Sequence, residues 1–286
     1  MDRFLLVDGS NLLFQMFFGM PARIVNEDGK AIQGTLGFVG ALLKIIRMVR
    51  PTHIAVLFDG EHENDRRELD ETYKANRMDY SEMPEEESPF SQLGDVYAAL
   101  DYLGLCHGET TDCETDDWIA GYVRHYGEVS EIVIASMDSD FFQLISDRVR
   151  VLRYRGVNSV FCDREYIREK FGIEPEQYAD FKSLVGDAAD NIPGAPRVGK
   201  KTAADLLRRF GSLDGILSHV EDIPKPSIRA SVAGSARRLR INRKLIRLEG
   251  ADKLPFAEEN MTWTDEGFTT TQVLRGTGLR RSREQE

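Results

Sequence analysis

The chain has 286 residues, 41% of them hydrophobic, and a formal net charge of −11. That length and apolar fraction predict one generous α/β domain with an appended smaller unit and a sizeable buried core. Three cysteines, Cys106, Cys113 and Cys162, in no C-x-x-C or zinc spacing exclude a disulfide framework; with no signal-peptide pattern and no apolar run of membrane-spanning length, a cytoplasmic protein with reduced thiols is expected.

Phe4 to Val7 is a β-type run that stops at Asp8-Gly9, and Leu36, Val39, Leu42, Leu43, Ile46 and Val49 then carry helical spacing. Ile54 to Phe58 is a second β-type run, stopping at Asp59-Gly60. Strand, helix, strand opens a parallel α/β sheet, and the near-continuous apolar runs are those of buried parallel strands. Each ends in an aspartate, on the edge where open α/β sheets bind ligands. The polar stretch that follows, with Arg66, Arg67, Tyr73, Lys74 and Arg77 before the acidic run Glu85-Glu86-Glu87, has little to bury and is expected to be a helical excursion. A helix entering a loop is predicted over 96–105 and another helix over 116–125.

The start of that second helix is the anomaly of the chain, because Glu114-Thr115-Asp116-Asp117 places three carboxylates in four residues. Capping and the helix macrodipole account for one or two acids in a first turn and leave the third unexplained. Acids packed so tightly repel one another unless a cation sits among them. Ile132 to Ala135, a third β-type run, again leads to carboxylates, Asp138 and Asp140, with a helix predicted through Phe142, Leu144 and Ile145. Further strands are expected at 149–152 and 159–161, then helices at 165–171 and 175–184.

Gly186-Asp187-Ala188-Ala189-Asp190-Asn191-Ile192-Pro193-Gly194 adds another acid pair and runs into Arg197, Gly199, Lys200, Lys201 and Thr202. Glycines around a short apolar turn, then a helix with lysines at its N-terminus, form a helix-hairpin-helix pattern suited to phosphate. The segment from Arg197 to Arg247 is basic, so an acidic site beside a basic platform fits a metal-dependent enzyme acting on a polyanion despite the negative total. From Glu258 apolar periodicity is lost, and 267–286 is expected to be a loose tail.

Asp8, Asp59, Glu114, Asp116, Asp117, Asp138, Asp140, Asp187 and Asp190 are thus predicted to gather along one sheet edge. With no histidine or cysteine among them, they suit Mg²⁺ or Mn²⁺. Two such ions about 3.5–4 Å apart can activate a water and stabilise a leaving phosphodiester oxygen.

In order, V-D-G (7–9), F-D-G (58–60), Y-K-x-x-R (73–77), E-x-D-D (114–117), D-x-D (138–140) and G-D-x-x-D-N-I-P-G into G-K-K-T-A (186–203) make the chain resemble the 5′ nuclease superfamily over roughly residues 3–250. That superfamily comprises the 5′–3′ exonuclease domain of bacterial DNA polymerase I, related phage enzymes and flap endonucleases. The resemblance implies a PIN-like catalytic core over 1–180, a helical arch at about 63–90, and a helix-hairpin-helix region over 181–257 that grips duplex and often holds K⁺, leaving 258–286 as a C-terminal tail. It assigns Asp8, Asp59, Glu114, Asp116 and Asp138 to an inner metal, and Asp117, Asp140, Asp187 and Asp190 to a second site or its surroundings. Lys74 and Arg77 would meet the scissile phosphate. Tyr73 would stack a base near the 5′ end, and Arg66 with the hairpin residues Gly194 to Thr202 would bind DNA. Gln15 stands where many members carry an arginine for the 5′ end, Arg197 where glycine is common, and Met137 and Ser139 where glycine and a basic residue are frequent. The implied enzyme is a stand-alone monomeric DNA 5′ nuclease cutting 5′ flaps, 5′ ends and branched duplexes. A PIN-type ribonuclease and a silent duplex-binding paralogue are the alternatives, the latter opposed by the full set of carboxylates.

Overall fold

The computed structural model describes residues 1–60, 66, 69–76, 84 and 87–281. Six strands form the main sheet: β1 (Arg3–Asp8), β2 (His53–Phe58), β3 (Cys106–Glu109), β4 (Glu131–Ala135), β5 (Val149–Arg153) and β6 (Val160–Cys162), in the order β3-β2-β1-β4-β5-β6. All neighbours are parallel except β5 and β6. Because β1 lies between β2 and β4, the strand order reverses there, and the crevice outside the strand C-termini at that reversal is the natural ligand site of such sheets.

Strand alternation divides the core in two. Phe4, Leu6, Ala55, Leu57, Ile132 and Ile134 share one apolar cluster with Trp118, Ile119 and Tyr122, whereas Leu5, Val7, Ile54, Val56 and Val133 share another with Phe38, Leu42 and Leu100. The second face is covered by α1 (Gly9–Gly19), α2 (Gln33–Val49) and α3 (Leu93–Leu103), and the first by α4 (Thr115–Tyr126). A helical unit follows, built of α5 (Arg164–Phe171), α6 (Tyr178–Val185), a two-stranded ribbon β7 (Gly186–Asp187) and β8 (Ile192–Pro193), α7 (Lys200–Phe210), α8 (Leu213–Ser218) and α9 (Pro226–Ile246). Its apolar residues, among them Phe181, Leu184, Leu207 and Val232, extend the first cluster without a break. Arg77, Arg67, Glu85, Glu86 and most of the expected arch lie outside the described residues.

Four elements differ from expectation. The chain enters α1 directly after Asp8, and β3 forms from the short, largely polar run Cys106–Glu109. The helix predicted through Ile145 is one 3₁₀ turn, Asp140–Leu144. The loose tail expected from Gly267 is corrected within the described residues: α10 (Thr270–Gly276) is closed at its start by a Thr269/Gln272 capping box. It buries Val273 against the α2–α3 side, while Leu274 and Leu279 pack on Ile32. Arg47 also donates to the Phe268 carbonyl at 2.6 Å. Three apolar residues were too few to show a period, yet they suffice once α2 and α3 supply a surface.

Leu274 is 1% exposed. Leu274→Ala is therefore expected to lower the unfolding free energy by about 2 kcal/mol or more, read by urea denaturation; a loose tail would leave it within about 0.5 kcal/mol.

Candidate active site

Each acid at the crevice is placed by backbone geometry. Asp8 closes β1 and caps α1, accepting from the Asn11 N–H at 3.0 Å, and its second oxygen accepts from the Ser136 hydroxyl at 2.7 Å. Asp59, just beyond β2, accepts from the Thr115 N–H at 3.0 Å and so caps α4 from across the crevice. Gly60 is needed next to it, because a Cβ there would lie 2.0 Å from the Thr110 carbonyl oxygen. Asp138 follows β4 and accepts from the Asp140 N–H at 2.8 Å. Its neighbour Met137 is fixed by the Asn11 side-chain carbonyl, which accepts the Met137 N–H, and by Arg153, which donates to the Met137 carbonyl.

The electrostatics follow from burial and crowding. Burial, then the charges of Asp59 and Asp138, push the Asp8 carboxyl up to about 7 against the pull of its hydrogen bonds. Burial, then Asp138, Asp8 and Asp59, drive Asp116 well above the ordinary carboxylate range, with Lys74 pulling the other way. Asp8, Asp59, Asp116 and Asp138 are therefore one mutually repelling group.

The base of the expected arch supplies countercharge. Arg66 and Lys74 both pair with Glu114, and Arg66 reaches Asp117 Oδ1 at 3.0 Å. Burial raises the Asp117 carboxyl, partly offset by Arg66 and Lys74. Lys74 takes a left-handed backbone, φ 56°, and its N–H donates to the Asp190 carbonyl. Tyr73 is 3% exposed and packs with Ala179, Ile192, Leu245 and Ile246. In this arrangement the ring joins the segment around Tyr73 to the helical unit.

A second acid group, Asp140, Asp187 and Asp190, has carboxylate oxygens within 4.8 Å of one another. Asp117, expected with these three, is not part of that group and faces Arg66 instead. Lys182, which the sequence reading passed over, pairs with both Asp140 and Asp187. Nothing in α6 marks it except that it falls on the buried side with Ala179, Phe181 and Ser183.

The hairpin is sterically exacting. A Cβ on Gly194 would lie 2.3 Å from the Val185 carbonyl carbon, and one on Gly186, at φ 86°, would lie 2.5 Å from the Gly194 nitrogen. Arg197 adopts φ 65°, the conformation that favours glycine. Arg197, Gly199, Lys200 and Lys201 are exposed and Thr202 is half-buried at the start of α7, a helix end of the kind that suits an anion. Gln15 is spent internally, its amide donating to the Tyr154 carbonyl at 2.7 Å.

An all-carboxylate donor set whose members push one another's pKa values up fits a hard divalent cation, and this defines the class: an α/β fold with a carboxylate cation centre at the switch point of its sheet. The chain belongs to the 5′-3′ exonuclease family. Residues 3–172 match that family's N-terminal resolvase-like domain and residues 173–267 its C-terminal SAM fold. A 5′-3′ exonuclease of Streptomyces coelicolor is 34% identical over 269 residues, covering 88% of this chain and 87% of that protein. DNA polymerase I of Rhizobium leguminosarum is 35% identical over 255 residues, 86% of this chain, but the match spans only 24% of the polymerase. Among solved structures, T5 5′-exonuclease with bound zinc superposes with a TM-score of 0.69 at 22% identity, covering 86% of this chain and 89% of that one. The catalytic core of Rad2 with DNA superposes at 0.59 and 15% identity, covering 97% and 92%. At these identities the superpositions show a shared fold. No helix among the described residues is long and apolar enough to cross a membrane.

Folded-state pKa values raised above the unfolded ones mean that ionising Asp8 and Asp116 opposes folding. That penalty is absent below the unfolded carboxylate range and grows as pH rises through the folded pKa, about 7 for Asp8. In EDTA, lowering the pH from 8 to 6 is expected to stabilise the protein, by about 1 kcal/mol through Asp8 alone. Thermal unfolding across that range checks it, and saturating Mg²⁺ should flatten the trend.

Proposed function

We propose that the protein is a divalent-metal-dependent DNA 5′ nuclease that cuts 5′ flaps and 5′ ends of branched duplexes, leaving 3′-hydroxyl and 5′-phosphate ends. The observation that carries this reading is the convergence of Asp8, Asp59 and Asp138 at neighbouring strand ends with Asp116 at the start of α4, Lys74 beside them and the exposed start of α7 beyond. Asp8, Asp59, Glu114, Asp116 and Asp138 would hold one ion, and Asp140, Asp187 and Asp190 a second. Bound there, Mg²⁺ or Mn²⁺ lowers the pKa of a water and offsets charge on the phosphodiester oxygens.

The protein's own groups do the positioning. Lys74 and Arg66 carry positive charge at the mouth of the acid group, where a phosphate must come to react, and exchanging Glu114 and Asp117 for phosphate oxygens keeps both cations paired. Arg77 is proposed to join them from the arch. Arg197, Lys200, Lys201 and the N–H groups at the start of α7, with Gly194, Gly199 and Thr202 shaping the turn, grip the duplex backbone without reading sequence, as a structure-specific enzyme requires. A K⁺ at the hairpin belongs to the same proposal. Gln15, held by Tyr154, leaves the 5′ end to other groups.

Mapping products from a 5′-labelled flap duplex tests this reading: labelled flap fragments in Mg²⁺ and none in EDTA are expected, and an all-RNA flap cut in preference to DNA would contradict it. Asp116→Asn should reduce turnover by about 10³-fold, the order of several kcal/mol of lost transition-state stabilisation, with duplex binding retained. Full activity in that variant would remove Asp116 from the metal centre.

A further inference from the structure

Lys182 lies on the buried side of α6 and is 8% exposed. An ammonium in such a place is costly unless paired. Here it contacts two carboxylates from separate segments, Asp140 after β4 and Asp187 in β7.

We infer that Lys182 is the resident monovalent counter-ion of the Asp140–Asp187–Asp190 group and makes it the weaker of the two divalent-ion sites, the last to fill. This rests on the metal reading above and extends it to an order of occupancy. Three ionised carboxylates with oxygens within 4.8 Å of one another carry three negative charges. One fixed positive charge leaves two, the complement of a single divalent ion. The ammonium also engages oxygens of Asp140 and Asp187 that an incoming ion needs, and it repels that ion at short range. Being carried on a packed helix, it cannot withdraw to solvent. Lys182 is thus a positioning residue: it allows three acids to be held together before an ion arrives, and it sets how tightly that ion is then held. A purely structural ion pair would contribute to folding and leave ion affinity unchanged.

Mn²⁺ titration of the full chain, read as the electron paramagnetic resonance signal of free Mn²⁺, separates these roles. Wild type should show a tighter and a weaker ion. In Lys182→Met and Lys182→Gln the weaker ion should bind about tenfold tighter or more, since a like charge at contact distance is gone. Thermal stability of these variants should fall in EDTA and recover with Mn²⁺, and Lys182→Arg should behave as wild type. An unchanged or weakened second Kd in the neutral variants would overturn the inference while leaving the metal reading standing. So would neutral variants that fail to fold even in excess Mn²⁺. Absence of a second ion from every protein, wild type included, would overturn the inference together with the two-ion reading.

Discussion

Repulsion among carboxylates at the C-terminal edge of the sheet is the constraint around which the rest of the molecule is arranged. Asp8, Asp59, Asp116 and Asp138 come from three strand ends and a helix start, and their charges meet across a crevice, where burial and mutual repulsion raise the pKa values of Asp8 and Asp116. A flexible scaffold would relax by letting these acids swing apart. This one cannot, because Asp8 is tied to Asn11 and Ser136, Asp59 to Thr115 and Asp138 to Asp140, each by a hydrogen bond to an element with a buried apolar face. The packed sheet thus holds a concentration of negative charge that is relieved by cations, whether the arginine and lysine of the arch base or a divalent ion.

Arch base, second acid group and hairpin are one connected piece. Lys74 N–H donates to the Asp190 carbonyl, Asn191 donates to the Thr72 carbonyl at 2.8 Å, and Asn76 donates to the Ala188 carbonyl at 2.9 Å. Arg238 of α9 pairs with Asp70, and Tyr73 is buried against α9 and the ribbon. The start of α7 follows directly on the ribbon segment that carries Asp187 and Asp190.

Much of this was legible in the sequence because the informative signals are local. Buried parallel strands announce themselves as apolar runs, and an aspartate at the end of each is visible without a structure, as are the hairpin glycines. What was missed depends on partners distant in the chain. β3 is a strand because β2 offers an edge to Cys106–Glu109, and α10 is ordered because α2 and α3 offer a surface. Tyr73 read as exposed because its neighbours are polar, yet Leu245 and Ile246, far along the chain, enclose it. Lys182 carries no signal in the sequence, since nothing near it says that Asp140 will lie beside it. The division inside Glu114 to Asp117 is likewise tertiary: Asp116 turns into the crowded group, whereas Asp117 meets Arg66.

The central claim, that these two carboxylate groups are divalent-cation sites, is tested most directly by the anomalous diffraction of crystals grown with Mn²⁺. One peak enclosed by Asp8, Asp116 and Asp138 and a second, weaker one at Asp140, Asp187 and Asp190 is the predicted result. Crystals saturated with Mn²⁺ that show no peak at the first group would contradict it.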